Sequence, residues 1–433
     1  MKKTEKCYEM YLSILREEML LAMGCTEPIA VAYAAAVARS LLENDAALTE
    51  CEMHISGNII KNVKSVIVPN TGGLKGLETA AAAGISVGDE KAGLQVLSHV
   101  SEKQKPAIQK LLQQCCFRVI PAEPEAGIFY IEIRLKTPTE TSRTVIQEYH
   151  TNLTVAEHNG KGHKAPKVRC AQGLEGSSQT DRSQMNVQDI LDFAQSADLE
   201  DVRELIERQI RCNTAISQEG LRHPWGAQVG RTMMKAENAD VFVRAAAAAA
   251  AGSDARMSGC ELPVAIVSGS GNQGLTASMP VIVYAKETGA SEEELYRALL
   301  VSNLITIHQK TGIGRLSAFC GATSAGVGAA CGIAFLDGGG YEEISHTIVN
   351  ALAVLSGMVC DGAKPSCAAK IAAAVNNGIF GYRLYRQGLQ FYAGDGIVTK
   401  GVEKTIANVG RLANRGMRLT DCEILDMMVG NPD

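Results

Sequence analysis

The chain has 433 residues and a formal net charge of −5, with hydrophobic residues at 46% and aromatics at only 5%. That length holds two or three cores. The absence of a basic surplus argues against nucleic acid as a partner, and alanine and glycine in place of aromatics point to closely packed helices.

The N-terminal stretch carries Lys2 and Lys3, but Glu5, Glu9, Glu17 and Glu18 interrupt any apolar run, so it does not read as a signal peptide. Without an export signal, the thirteen cysteines are expected in the cytoplasm, where metal binding or catalysis is a commoner use than disulfides. Tyr8, Leu12, Leu15 and Met19 recur at helical spacing over 6–22, and Gly24 ends the pattern. Thr26 is the expected N-cap of an alanine-rich helix reaching about Leu42, with Glu27 and Pro28 in its first turn. Cys25 falls in the break between the two helices.

β-Branched alternation over 54–69 predicts strands, followed by an alanine-rich helix at 77–84 and another at 101–114. Three β-patterned segments come next, at 116–122, 127–136 and 143–159, then a polar loop or linker from Gly160 to Gln184. From Asn186 onward helical patterns dominate, with glycine-rich hinges between them; the clearest cover 187–197, 200–221, 237–257, 291–309, 342–359 and 366–388. The expected fold class is α+β. A mostly helical catalytic domain (171–433) is joined by the N-terminal helices (1–45), and a smaller α+β module (46–170) is inserted between them. The apolar run at 245–252 is too short for a membrane span, so no membrane is expected.

Three cysteines stand in glycine- and alanine-rich surroundings: Cys320 in AFCGATSAG, and Cys360 and Cys367 in SGMVCDGAKPSCAAK. Thiolates bind soft metals and iron–sulfur clusters, but gaps of 40 and 7 residues match neither a zinc finger nor a ferredoxin run. Buried cysteine is also a common small core residue. Gly362 and Pro365 predict a turn, and Cys367 is expected to open a helix. Both would offer backbone N–H groups to a thiolate, and Lys364 adds positive charge. Cys331 is a rival ligand, although AACGIAFL reads as helix core.

At a helix start the macrodipole is expected to lower the Cys25 pKa and favour the thiolate, a general base or nucleophile; the alternative is a structural thiol in a helix corner. Gly269, Gly271 and Gly274 mimic a dinucleotide fingerprint, but no second parallel strand follows. A loop offering N–H groups with Asn272 and Gln273 to a small carboxylate fits better. Asn70 and Thr71, in a glycine turn, are further carboxylate candidates beside the plain-turn reading. His308, Lys310 and Arg315 lie close in sequence to Cys320. No lysine has a recognisable Schiff-base context for pyridoxal phosphate.

Taken together, GCTEP, SGSGNQG, the FCGATSAG cysteine and VCDGAKPSCAAK resemble the L-cysteine desulfidase family, related to the alpha region of iron–sulfur L-serine dehydratases. The resemblance runs from about residue 10 to about 415. It implies a [4Fe–4S] cluster on Cys320, Cys360 and Cys367, Cys25 as the catalytic base, and conversion of L-cysteine to pyruvate, ammonia and sulfide. Cys422, near the C-terminus, is left without a role. L-Serine or another β-substituted amino acid is the alternative substrate, and a non-catalytic metal sensor is the alternative class. The expected partner is a small amino acid, with a homo-oligomer left open.

Overall fold

A computed structural model describes residues 1–43, 47–164, 180–314 and 316–430. Most of the linker expected over 160–184 falls outside the described residues, as do Cys170 and Arg315. The architecture is mixed α and β, with 57% helix and a six-stranded mixed sheet.

The sheet runs Cys116–Pro121, Glu50–Ile55, Tyr130–Lys136, Thr141–Gln147, Leu153–His158 and Lys161–Gly162 from edge to edge. The first pairing is parallel (Cys51 beside Phe117) and the rest antiparallel. Cys51, Met53 and Ile55 face inward in strict alternation. The segment expected as one β-unit at 143–159 is two strands of a hairpin.

The strands expected over 54–69 end at Ile55, and Gly57–Val63 is a helix. Ile59 and Val63 are four apart and both fully buried, while Asn58, Lys61 and Asn62 share a different face. A period-3.6 pattern seven residues long was masked by its β-branched composition. This correction matters, because the helix supplies one wall of the cavity described below.

Lys6–Glu18 packs on the helical body, with Tyr8 and Tyr11 tilted against Phe193 at centroid distances of 5.1 and 5.4 Å. Thr26–Ser40 instead lies on the sheet, where Ser142 and Thr144 donate to the carbonyls of Ala38 and Ala34. Cys25 occupies the N-cap position, so the helix begins one residue before the expected start. The expected later helices are present as Val187–Ser196, Leu199–Arg222, Val241–Met257, Glu292–Ile313, Tyr341–Val354 and Cys367–Arg386. Gly271–Thr288 and the glycine-rich Ala322–Leu336 are helices as well. One hydrophobic cluster runs from Tyr8 through Ile133 to Val409, so sheet and helices share a core. Among the described residues no helix is long and apolar enough to cross a membrane.

Small residues let these helices touch backbone to backbone. A Cβ on Gly84 would stand 2.0 Å from the Ala32 carbonyl oxygen, and one on Gly220 would stand 1.9 Å from that of Ala251. Neither contact leaves room for a methyl group. Gly84→Val is therefore expected to lower the urea midpoint by the equivalent of about 1–3 kcal/mol or more; an unchanged midpoint would contradict this packing.

Candidate active site

Two short backbone pairings bring distant segments together. Leu21–Met23 pairs antiparallel with Pro263–Ala265, which sets Cys25 beside the loop Ser268–Ser270. Between strand and helix, Gly24 takes φ +63°, and a Cβ there would meet Pro69 Cγ at 2.2 Å. The second pairing is a bridge between Phe319 and Val359, closed by Cys320 N–H to Met358 O (2.8 Å) and Cys360 N–H to Ala318 O (2.6 Å). It cancels the 40-residue gap between those cysteines.

Cys25, Cys320, Cys360 and Cys367 all line one cavity of about 100 Å³, together with Asn272 and Gln273. That is room for a small molecule or several waters. Further polar lining comes from Glu27, from Asn58, Lys61 and Asn62 on the short helix, from His150, Arg256 and Lys310, and from Ser268, Ser270 and Ser317.

The Cys25 thiol donates to Glu27 Oε2 at 3.1 Å. Thr26 Oγ1 donates to the same carboxylate at 3.0 Å, Asn62 Nδ2 donates to its other oxygen at 3.3 Å, and His150 Nε2 lies 4.0 Å from that oxygen. The expectation of a lowered Cys25 pKa is overturned. Burial, followed by the Glu27 charge, pushes the thiol well above its ordinary value, and Arg256 only partly opposes this. Desolvation outweighs the helix dipole here, so the resting group is a thiol hydrogen-bonded to a carboxylate.

Cys320, Cys360 and Cys367 are half-buried. The backbone amides of Ala322, Gly362 and Lys364 favour the thiolates of Cys320, Cys360 and Cys367 respectively, and the Cys367 thiol donates to Gly362 O at 3.6 Å. Cys320 and Cys360 share a hydrogen bond that draws Cys360 down to about 6, with Lys61, the Gly362 N–H and Lys370 acting in the same direction; Cys320 moves up in consequence. Burial raises Cys367. Lys61 is almost fully buried and bridges Cys360 O (3.3 Å) and Asp421 Oδ1 (2.6 Å). Asp361 pairs with Lys364 and Lys370; burial opposes its ionisation, but the two lysines hold it down at about 2.

Among the described residues no three His, Cys, Asp or Glu side chains converge tightly enough for a single metal ion. A four-iron cluster makes a different demand, with thiolates spread over separate corners of a cube. Three soft thiols lining one cavity, with backbone amides and lysines nearby that favour their thiolates, fit such a group.

Other sequence candidates lie elsewhere. Asn70 donates to Leu97 O (2.6 Å), tying its turn to a distant segment, Thr71 donates to Val68 O (2.7 Å) within the turn, and neither lines the cavity. Lys364 is spent on Asp361. Cys331 is buried inside its helix, and exposed Cys422 does not line the cavity, although neighbouring Asp421 reaches Lys61. His308 is bonded to Glu403 at 2.7 Å, away from the cavity. The glycine fingerprint is resolved too: its strand is antiparallel, and Gly274 permits helix-to-strand contact, a Cβ there standing 2.0 Å from Ala265 O. Sequence reasoning missed Asn58, Lys61, Asn62, His150 and Arg256. For the first three, the spacing in SGNIIKNV was the available signal; the last two carry none.

The chain belongs to the serine dehydratase alpha chain family, which it matches over residues 91–426. Its relatives include a UPF0597 protein of Desulfitobacterium hafniense, 53% identical over 99% of this chain and 98% of that protein. Similar UPF0597 proteins occur in Treponema denticola (44% identical; 98% of each chain covered) and Finegoldia magna (44% identical; 97% of this chain and 99% of that one).

The pKa order sets thiol reactivity. In cluster-free protein at neutral pH, Cys360 is expected to be alkylated before the buried Cys25, as read by peptide mass mapping. Early labelling of Cys25 would contradict its assignment as a buried thiol.

Proposed function

We propose that this protein is a serine dehydratase-like lyase of the iron–sulfur type that acts on L-cysteine, forming pyruvate, ammonia and sulfide by α,β-elimination with Cys25 as the base. The observation that carries this reading is the meeting of the Cys25–Glu27 pair with Cys320, Cys360 and Cys367 around one cavity. Family membership supports the lyase class and the cofactor. A [4Fe–4S] cluster held by those three cysteines would, when bound, supply a Lewis-acidic iron position for the leaving group.

The chain's own residues carry the proton. Cys25 Sγ passes its proton to Glu27 Oε2, 3.1 Å away, and the thiolate so formed takes the substrate α-proton. The carbon–sulfur bond breaks with its electron pair leaving on sulfur as hydrosulfide, which takes up the proton held by Glu27 and departs as hydrogen sulfide, so that Glu27 is again a carboxylate and Cys25 again a thiol. The remaining 2-aminoacrylate tautomerises to an imine, which water hydrolyses to pyruvate and ammonia. Thr26 and Asn62 hold Glu27 in the orientation that faces Cys25, and Asn272 and Gln273 steady the substrate.

The family description favours a second reading, L-serine, in which the β-hydroxyl leaves in place of sulfide. Anaerobic reconstitution with iron and sulfide, followed by pyruvate assays on both amino acids, separates them. A kcat/KM about tenfold or more higher for L-cysteine, roughly 1.4 kcal/mol of discrimination, decides for the desulfidase, and the reverse decides for the dehydratase. A loaded protein that turns over neither would contradict the lyase. Cys25→Ala is expected to lose about 10²–10⁴ in kcat; wild-type turnover in that variant would remove Cys25 as the base.

A further inference from the structure

Arg256 lines the cavity at the end of Val241–Met257 and is 2% exposed. Among the described residues its Nε has no hydrogen-bond partner, and Nη1 donates to Asn272 Oδ1 at 3.1 Å. That amide orients the guanidinium but does not neutralise it, and among the described residues no carboxylate forms an ion pair with it. A buried charge of this kind is costly unless something anionic joins it.

Its setting is that of an anion site. A Cβ on Gly271 would stand 2.4 Å from Arg256 Nε, so the guanidinium rests on bare backbone at the start of Gly271–Thr288. The N-cap residue Ser270 makes no side-chain cap, which leaves first-turn N–H groups open. The 18-residue helix directs the positive end of its dipole to the same place. Glu27, the one carboxylate among the described lining residues, is already engaged by Cys25, Thr26 and Asn62.

We propose that Arg256 and the open N–H groups of Gly271, Asn272 and Gln273 anchor the α-carboxylate of a small amino-acid substrate, with Asn272 positioning the guanidinium. The planar fork of N–H donors matches a carboxylate. This inference rests on the reading of the cavity as an amino-acid lyase site. It gives carboxylate recognition to the protein chain, leaving the thiol wall to the leaving group.

The test is anaerobic calorimetry on the cluster-loaded protein, with L-alanine, which has no leaving group, and L-alaninamide, which has no carboxylate. The wild type is expected to prefer L-alanine by about tenfold or more, the worth of a charge-assisted hydrogen-bonded pair. Arg256→Gln abolishes the preference with iron content and melting midpoint unchanged, and Arg256→Lys restores part of it. Asn272→Ala, which keeps the charge but removes its support, narrows the preference about threefold and carries the test if Arg256→Gln does not fold. A preference absent from the wild type, or undiminished in the variants that fold, overturns the anchor. Pyruvate formation is scored separately. Selective binding of L-alanine without pyruvate keeps the anchor and removes the lyase; pyruvate formation with an unchanged KM in Arg256→Gln keeps the lyase and removes the anchor.

Discussion

The site depends on two very short backbone pairings. Three residue pairs between Leu21–Met23 and Pro263–Ala265 join segments 244 residues apart (Leu21 to Ala265), and one bridge between Phe319 and Val359 joins segments 40 residues apart. Neither pairing has the length to be stable alone. Both are held by the helices that flank them, which approach closely because alanine and glycine occupy the contacts. The scarcity of aromatics therefore has a structural consequence at the cavity. Close helices fix the two pairings, and the pairings fix the thiols.

Electrostatics then divides the cavity into unlike parts. On one side Cys25 is kept protonated by burial and by Glu27. On the other, lysines and backbone N–H groups draw Cys360 toward the thiolate. The same side-chain chemistry is thus set to two different states by its surroundings. Lys61 links this balance to the rest of the fold, since it reaches the cysteine loop from a short helix and is paired there with Asp421 of the C-terminal helix.

The long helices were legible in the sequence because each sustains its period over several turns. Gly57–Val63 was not, since seven residues rich in isoleucine and valine satisfy a strand reading equally well. The four cysteines that line the cavity stand out in the sequence by their glycine-rich settings, and Asn272 and Gln273 by their loop. Asn70 and Thr71 had the right chemistry but spend their polar groups on backbone carbonyls, of Leu97 and Val68 respectively. Arg256 was hidden because it follows a run of alanines in a helix that reads as plain core. Only the fold shows that this helix ends at the cavity. The Cys25 pKa failed for a related reason: the helix dipole can be read from sequence, whereas depth of burial cannot.

The proposed lyase depends on which cysteines would hold a cluster. The most direct measurement is iron and sulfide content after anaerobic reconstitution, with the spectrum of the reduced protein, for wild type and for Cys25→Ser, Cys320→Ser, Cys360→Ser and Cys367→Ser. The account predicts about four irons per chain in wild type and Cys25→Ser, and loss or marked instability of the cluster in the other three. A cluster lost with Cys25, or retained without the three later cysteines, would contradict it.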